Sequence, residues 1–200
     1  EQALERAKKN GVKELIVQPT HLMQGKEYDE LKETLDKHKA DFAKVALAEP
    51  LLGEVGKDAE EINADKEQVA TLLVQAAVTD GGFDSVQKAG QEGAAFVFLG
   101  HGTSHTAAIT YSEMQTAMRK LGYNNVFIGT VEGEPAETAV DAVIEAVKKA
   151  GFKKVTLRPM MVVAGDHAHN DMAGAEEDSW VQKFVASKNF DRVETQILGL

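Results

Sequence analysis

The chain has 200 residues, 43% of them hydrophobic and 27% charged, with a formal net charge of -10 and no cysteine. This apolar share supports a packed core and excludes a disordered chain. The acidic balance argues against a nucleic-acid partner, which needs a basic face, and is awkward for a polyanionic small ligand. Without cysteine there is no disulfide and no thiolate metal site, so any metal must be held by nitrogen and oxygen.

The apolar patterning predicts a helix over 2–10, a strand over 12–18, a helix over 27–39, a strand over 42–50 and a helix over 66–78. Residues 53–66, rich in Gly, Glu and Asp, read as a surface loop. The stretch 80–93, with Gly81-Gly82, reads as a link between two units. Beyond it come a strand at 95–100, a helix at 111–121, a strand at 126–131, a helix at 135–150, a strand at 153–163, a helix starting near Glu176 and a strand at 192–198. No apolar run reaches the ~18 residues of a membrane helix, and no basic-then-apolar leader pattern opens the sequence. The expected place of work is the cytoplasm, with the periplasm as alternative because a leader could precede residue 1.

Residues 3–25 and 143–165 align without gaps, with identities at Glu5/Glu145, Lys8/Lys148, Lys9/Lys149, Gly11/Gly151, Lys13/Lys153, Pro19/Pro159 and Gly25/Gly165. Each copy reads as a helix ended by Gly, then a strand, then Pro and a loop. Helix–Gly–strand units resemble one another in any α/β protein, but the shared Pro and second Gly lie in the loop, where generic units need not agree. The expected fold is therefore α/β, with two similar doubly wound parallel-sheet lobes and a cleft between them: residues 1–90 and residues 91–200, the second carrying the metal site. The front strands of the first lobe are expected before residue 1 and a last helix after Leu200, so that roughly 50 or more residues are expected in front of this stretch.

Four of the six histidines lie in two clusters that follow β-like runs. One is Gly100-His101-Gly102-Thr103-Ser104-His105 and the other Gly165-Asp166-His167-Ala168-His169-Asn170-Asp171. In α/β folds, ligands bind beyond the carboxyl ends of strands, and imidazoles there suit work on metals or protons. Glycines around His101 leave its backbone open to a ligand. A dinucleotide fingerprint would need Gly at position 105, and no G-x-S-x-G occurs. A phosphohistidine site would want Arg before the His, where Leu99 and Gly100 stand; a histidine packed at a strand end is the plainer alternative.

In the second cluster, an extended chain would put His167, His169 and Asp171 on one face. If the chain turns instead, Asp166 and Asn170 are candidate caps, and one of the two histidines supports rather than ligates. Between the clusters, the strand Val126–Val131 ends in Glu132, at the same sheet edge, while Glu134 before Pro135 fits a helix cap. The acidic run Glu176-Glu177-Asp178 reads as a solvated helix start, or as an outer path that gathers cations. In the first copy, Lys26-Glu27 stands where the second has Asp166-His167, so the duplication keeps one His-bearing site. His21 can still face the cleft, and His38 reads as a surface residue.

These residues resemble the anaerobic sirohydrochlorin cobaltochelatases, the class II chelatases of cobalamin synthesis. The likeness rests on Gly100–His105, Val131-Glu132, the long stretch Pro159–Met172, the Asp178-Ser179-Trp180 tail and the first-lobe stretch Gln18–Tyr28. It implies two α/β lobes around a tetrapyrrole and a metal held by His101, Glu132 and His167, the two histidines doubling as proton acceptors. The family's first strand with its hydroxyl-rich loop, and its C-terminal helix, have no counterpart in this stretch. The expectation is a metal-chelating lyase that inserts cobalt(II) into sirohydrochlorin, with nickel or iron(II) also suited to such ligands, and no organic cofactor. Thr103, Ser104, His105, His21 and His169 are the expected substrate contacts. Expected partners are the tetrapyrrole and, as an option, further copies of the chain, but neither nucleic acid nor membrane. The alternatives are a non-catalytic tetrapyrrole (heme-like) or metal carrier built on the same fold and, more weakly, a metal-dependent hydrolase.

Overall fold

A computed structural model describes residues 1–200. Its helices are α1 (Gln2–Lys9), α2 (Lys26–His38), α3 (Ala64–Asp80), α4 (Val86–Gln91), α5 (Ile109–Lys120), α6 (Val140–Lys149) and α7 (Trp180–Ala186). Its strands are β1 (Glu14–Val17), β2 (Lys44–Leu47), β3 (Ala94–Gly100), β4 (Val126–Thr130), β5 (Lys154–Pro159) and β6 (Arg192–Thr195). They form two parallel sheets, β1-β2 and β4-β3-β5-β6. No helix is long and apolar enough to cross a membrane.

The four-stranded sheet is wound on both faces. Every residue of β3 is buried, as expected for a central parallel strand covered on both sides. Alternation along β3 sends Phe96 and Phe98 to one core, with α3, α5 and β4, and Ala95, Val97 and Leu99 to the other, with α6, α7 and β5. The two-stranded sheet has helices on one face only. Leu15, Val17, Val45 and Leu47 meet Leu4 of α1 and Leu35 of α2, while Ile16 on the opposite face is 76% exposed.

The sequence repeat survives as structure. Helices α1 and α6 end at Lys9 and Lys149, strands β1 and β5 begin at Glu14 and Lys154, and Gly11 and Gly151 both have positive φ, 75° and 88°. A left-handed residue just past a helix is where glycine costs least. The copies diverge at the following loop. Helix α2 starts at Lys26, whereas the second copy makes a single π-helical turn, His167–Met172, and delays its helix to Trp180.

Several expectations need correction. Helix α3 was expected in the first unit, yet its Val69, Ala70, Leu73, Val74, Ala77 and Val78 are buried on the second sheet. The expected 80–93 link contains α4, started by the Ser85 hydroxyl accepting from Lys88 N and anchored by buried Val86 and Ala89. The strand expected to run to 163 stops at Pro159, which has no N–H for the ladder. The helix expected from 135 starts at Val140, so Glu134 caps nothing, and α7 is capped by Ser179 rather than begun by the acidic run.

One buried ion pair secures the loop after β2. Lys66 of α3 and Glu113 of α5 are fully buried, with Lys66 Nζ 3.1 Å from Glu113 Oε2. Lys66 Nζ also donates to Leu52 O at 3.2 Å and Glu54 O at 2.6 Å. Glu113 Oε1 accepts from Gly56 N at 2.6 Å. Glu113 Oε2 has its ionic partner but no aligned hydrogen bond.

Candidate functional site

The strand order β4-β3-β5 puts three chain exits side by side. β3 ends at Gly100, with His101 next; β4 ends at Thr130, with Glu132 two residues on; β5 ends at Pro159, and His167 follows after a seven-residue loop. Backbone pairing continues past the strands: Val131 N donates to Gly100 O and Glu132 N to His101 O, both at 3.0 Å, and Met160 N to Leu99 O at 2.7 Å. The sheet thereby sets Glu132 beside His101.

His101 and His167 meet. Their Nε2 atoms are 3.0 Å apart, and the rings stand edge to face at 86°, centroids 4.3 Å apart. The other nitrogen of each ring is engaged. His101 Nδ1 lies 2.9 Å from Gly102 O, and His167 Nδ1 lies 2.5 Å from Asp171 Oδ2. A carbonyl and a carboxylate can only accept, so both Nδ1 atoms carry hydrogen, an assignment from hydrogen-bond partners. Each Nε2 then turns a lone pair toward the other, an arrangement that calls for a proton or a cation between them. Two nitrogens about 2.1 Å from one ion and at right angles to it are themselves about 3.0 Å apart. Glu132 Oε1 is 3.5 Å from His101 Nε2. No three His, Asp or Glu side chains are yet gathered around a common point, so Glu132, half exposed, has to swing in to make a third donor.

Tyr111 of α5 holds the His101 turn. Its hydroxyl accepts from Gly102 N at 3.0 Å, and its ring lies so close to Gly100 that a β-carbon there would collide with it. Burial pushes the Tyr111 phenol above the ordinary tyrosine range, with the Glu132 and Glu27 carboxylates pushing the same way against backbone hydrogen bonds from Gly102 and His101. Sequence reasoning missed this residue. The available signal was the pair of bare glycines beside His101, which needs a bulky neighbour to fill the space.

The site opens into a pocket of about 450 Å³. Its polar lining includes His101, Gly102, Thr103, Ser104, Tyr111 and Glu132, and its apolar lining comprises Leu22, Met23 and the run Met160–Val163. Thr20, His21, Gly25 and Glu27 come from the loop after β1 and the start of α2, so both sheets contribute loops. The Met160–Val163 lining was not foreseen either, since that run had been read as strand interior.

The remaining expected contacts divide. Thr103, Ser104 and His21 line the pocket. Thr103 Oγ1 accepts from His105 N at 3.1 Å. His21 Nδ1 is buried without a hydrogen-bond partner, its ring edge-on to Tyr28. His105 works in the backbone: its Nδ1 accepts from Ala107 N at 3.1 Å, leaving Nε2–H to face Asp29 Oδ2 of α2 at 3.2 Å. Neither His167 nor His169 is among the residues lining the pocket, but His167 meets His101 whereas His169 pairs with Gly165 O at 2.9 Å. The extended reading of 167–171 fails because the segment turns, which sends His169 back onto its own loop and brings Asp171 to His167. Asp166 starts that turn without a side-chain capping bond.

Comparison with known proteins identifies the family. The family described as cobalt chelatase (CbiK) matches residues 1–200. A sirohydrochlorin cobaltochelatase of Salmonella typhimurium is 31% identical over 93% of this chain and 62% of its own length. The sirohydrochlorin cobaltochelatase CbiKC of Nitratidesulfovibrio vulgaris is 29% identical over 86% of this chain and 55% of its own. The chain thus spans between half and two thirds of these relatives. Among solved structures, a galactofuranose binding protein covers 98% of the chain at 13% identity with a TM-score of 0.32, a likeness too slight to inform the fold. Matched over its whole length, the chain belongs to the cobalt chelatase (CbiK) family.

Proposed function

We propose that this chain forms the metal-handling part of a sirohydrochlorin cobaltochelatase, which inserts cobalt(II) into that tetrapyrrole in anaerobic cobalamin biosynthesis. The observation that supports this best is the pair of Nε2 atoms 3.0 Å apart, each with its Nδ1 already engaged. In this reading His101 and His167 ligate the incoming ion and Glu132 supplies the third donor and its negative charge. Insertion removes two pyrrole N–H protons as the dication passes from these side chains to the ring nitrogens, and the lone pairs the ion leaves behind on His101, His167 and Glu132 are the bases that receive those two protons. Leu22, Met23 and Met160–Val163 give the pocket that His101 and Glu132 also line an apolar side against which a flat ring can pack. Nickel and iron(II) suit the same donors; cobalt is preferred on the names of the relatives. In this reading the division into residues 1–90 and 91–200 follows the two sheets, except that α3 and α4 pack on the second sheet.

The test is the absorbance change of sirohydrochlorin on adding cobalt(II) and the chain. Turnover that disappears in His101→Ala and in His167→Ala is the expected result. Tight tetrapyrrole binding with no metal insertion would overturn it in favour of a carrier.

A further inference from the structure

We propose that Asp171 is the positioning residue of the site, fixing the tautomer and direction of His167 from behind. The proposal rests on the reading of His101, Glu132 and His167 as the metal's ligands. The turn His167–Met172 is pinned to the core by Ala168 and Met172, both fully buried, which leaves His167 and Asp171 on its outer side, about half exposed. Core packing therefore holds the His167 ring only in part. The Asp171 carboxylate orients it, from four residues on, at 2.5 Å from Nδ1. With Nδ1 committed, Nε2 is the only nitrogen left for the ion, and it faces His101.

Asp171, like His167, lies outside the pocket lining around His101. It lines a second cavity of about 310 Å³ together with Glu132, Asp178, Trp180 and Lys183. Its carboxylate is bonded to His167 Nδ1, so it acts on the ion through that imidazole. The two ligands consequently differ: His101 is backed by a neutral carbonyl and His167 by a carboxylate, and a carboxylate behind an imidazole makes it a stronger metal donor. The other polar residues of the motif do not share this job, since His169 is bonded to Gly165 O and Asp166 makes no capping bond.

The experiment titrates cobalt(II) chloride into the full chain by calorimetry and records the visible cobalt d–d bands, for the wild type and for Asp171→Ala, Asp171→Asn, Asp166→Ala, His101→Ala and His167→Ala. Asp171→Ala is expected to weaken cobalt binding about 10–100-fold and to alter the d–d bands. Asp171→Asn, whose amide oxygen still accepts a hydrogen bond, is expected to recover part of both. Asp166→Ala should match the wild type, and the Tm should hold throughout. The inference is overturned if Asp171→Ala keeps wild-type affinity and bands, or if Asp166→Ala loses as much, which would make net charge the cause. If the wild type binds no cobalt, or the histidine variants bind it normally, the metal reading itself falls; loss in the histidine variants with none in Asp171→Ala sinks only the role of Asp171.

Discussion

His101 and His167 face one another through Nε2 at 3.0 Å, although 66 residues separate them in the chain. A dication between the two nitrogens would bind both. Cobalt(II) should therefore raise the Tm of the wild type as its concentration passes the Kd, and should raise that of His101→Ala far less. A thermal scan with and without the metal measures this, and an equal shift in both proteins would count against the pair.

Tyr111→Phe removes the hydroxyl that accepts from buried Gly102 N. An orphaned buried N–H costs about 1–3 kcal/mol, readable in urea unfolding at neutral pH. The wild type also carries a pH dependence here. Tyr111 ionises less readily folded than unfolded, so its contribution is fully present below the unfolded tyrosine value of about 10 and is lost as pH rises through the raised folded value. Tyr111→Phe should flatten that alkaline decline.

The Lys66–Glu113 pair predicts strong non-additivity. Lys66→Met strands a carboxylate that is 0% exposed, and breaking a buried pair from one side costs about 3–5 kcal/mol. The double variant Lys66→Met with Glu113→Gln leaves no buried charge and should lose less than the sum of the single losses. Denaturant titration of the four proteins closes the cycle.

His105 and Asp29 should respond unequally. His105→Ala takes the acceptor from Ala107 N, a cap-like loss of about 0.5–2 kcal/mol. Asp29 is 61% exposed, so Asp29→Ala should cost under about 1 kcal/mol. Equal losses would mean that the link to α2, rather than the turn, is what matters.

Much of this was legible from residues alone. The helix–Gly–strand repeat placed the C-terminal ends of α1 and α6 and the starts of β1 and β5 to within about two residues, and the polar residues after apolar runs drew attention to His101, Glu132 and His167. What stayed hidden was long-range. Periodicity in α3 tells which face is apolar but not which sheet will cover it. The strand order that sets β3 between β4 and β5 depends on partners distant in sequence. The turn at 167–172 depends on Ala168 and Met172 finding the core, which no local rule supplies, and it decides between His169 and Asp171 as the companion of His167.

The adjacency of the β4, β3 and β5 exits has one more consequence. Two stations of the site, His101 and Glu132, follow neighbouring strands, which lie about 4.8 Å apart, and a side-chain exchange cannot change that gap; His167 reaches them on its own turn. Donor atoms can therefore be swapped at fixed stations, altering which ion is favoured while the scaffold stays as it is. A one-residue slip along a single strand, by contrast, would turn its station to the other face of the sheet and dismantle the site in one step.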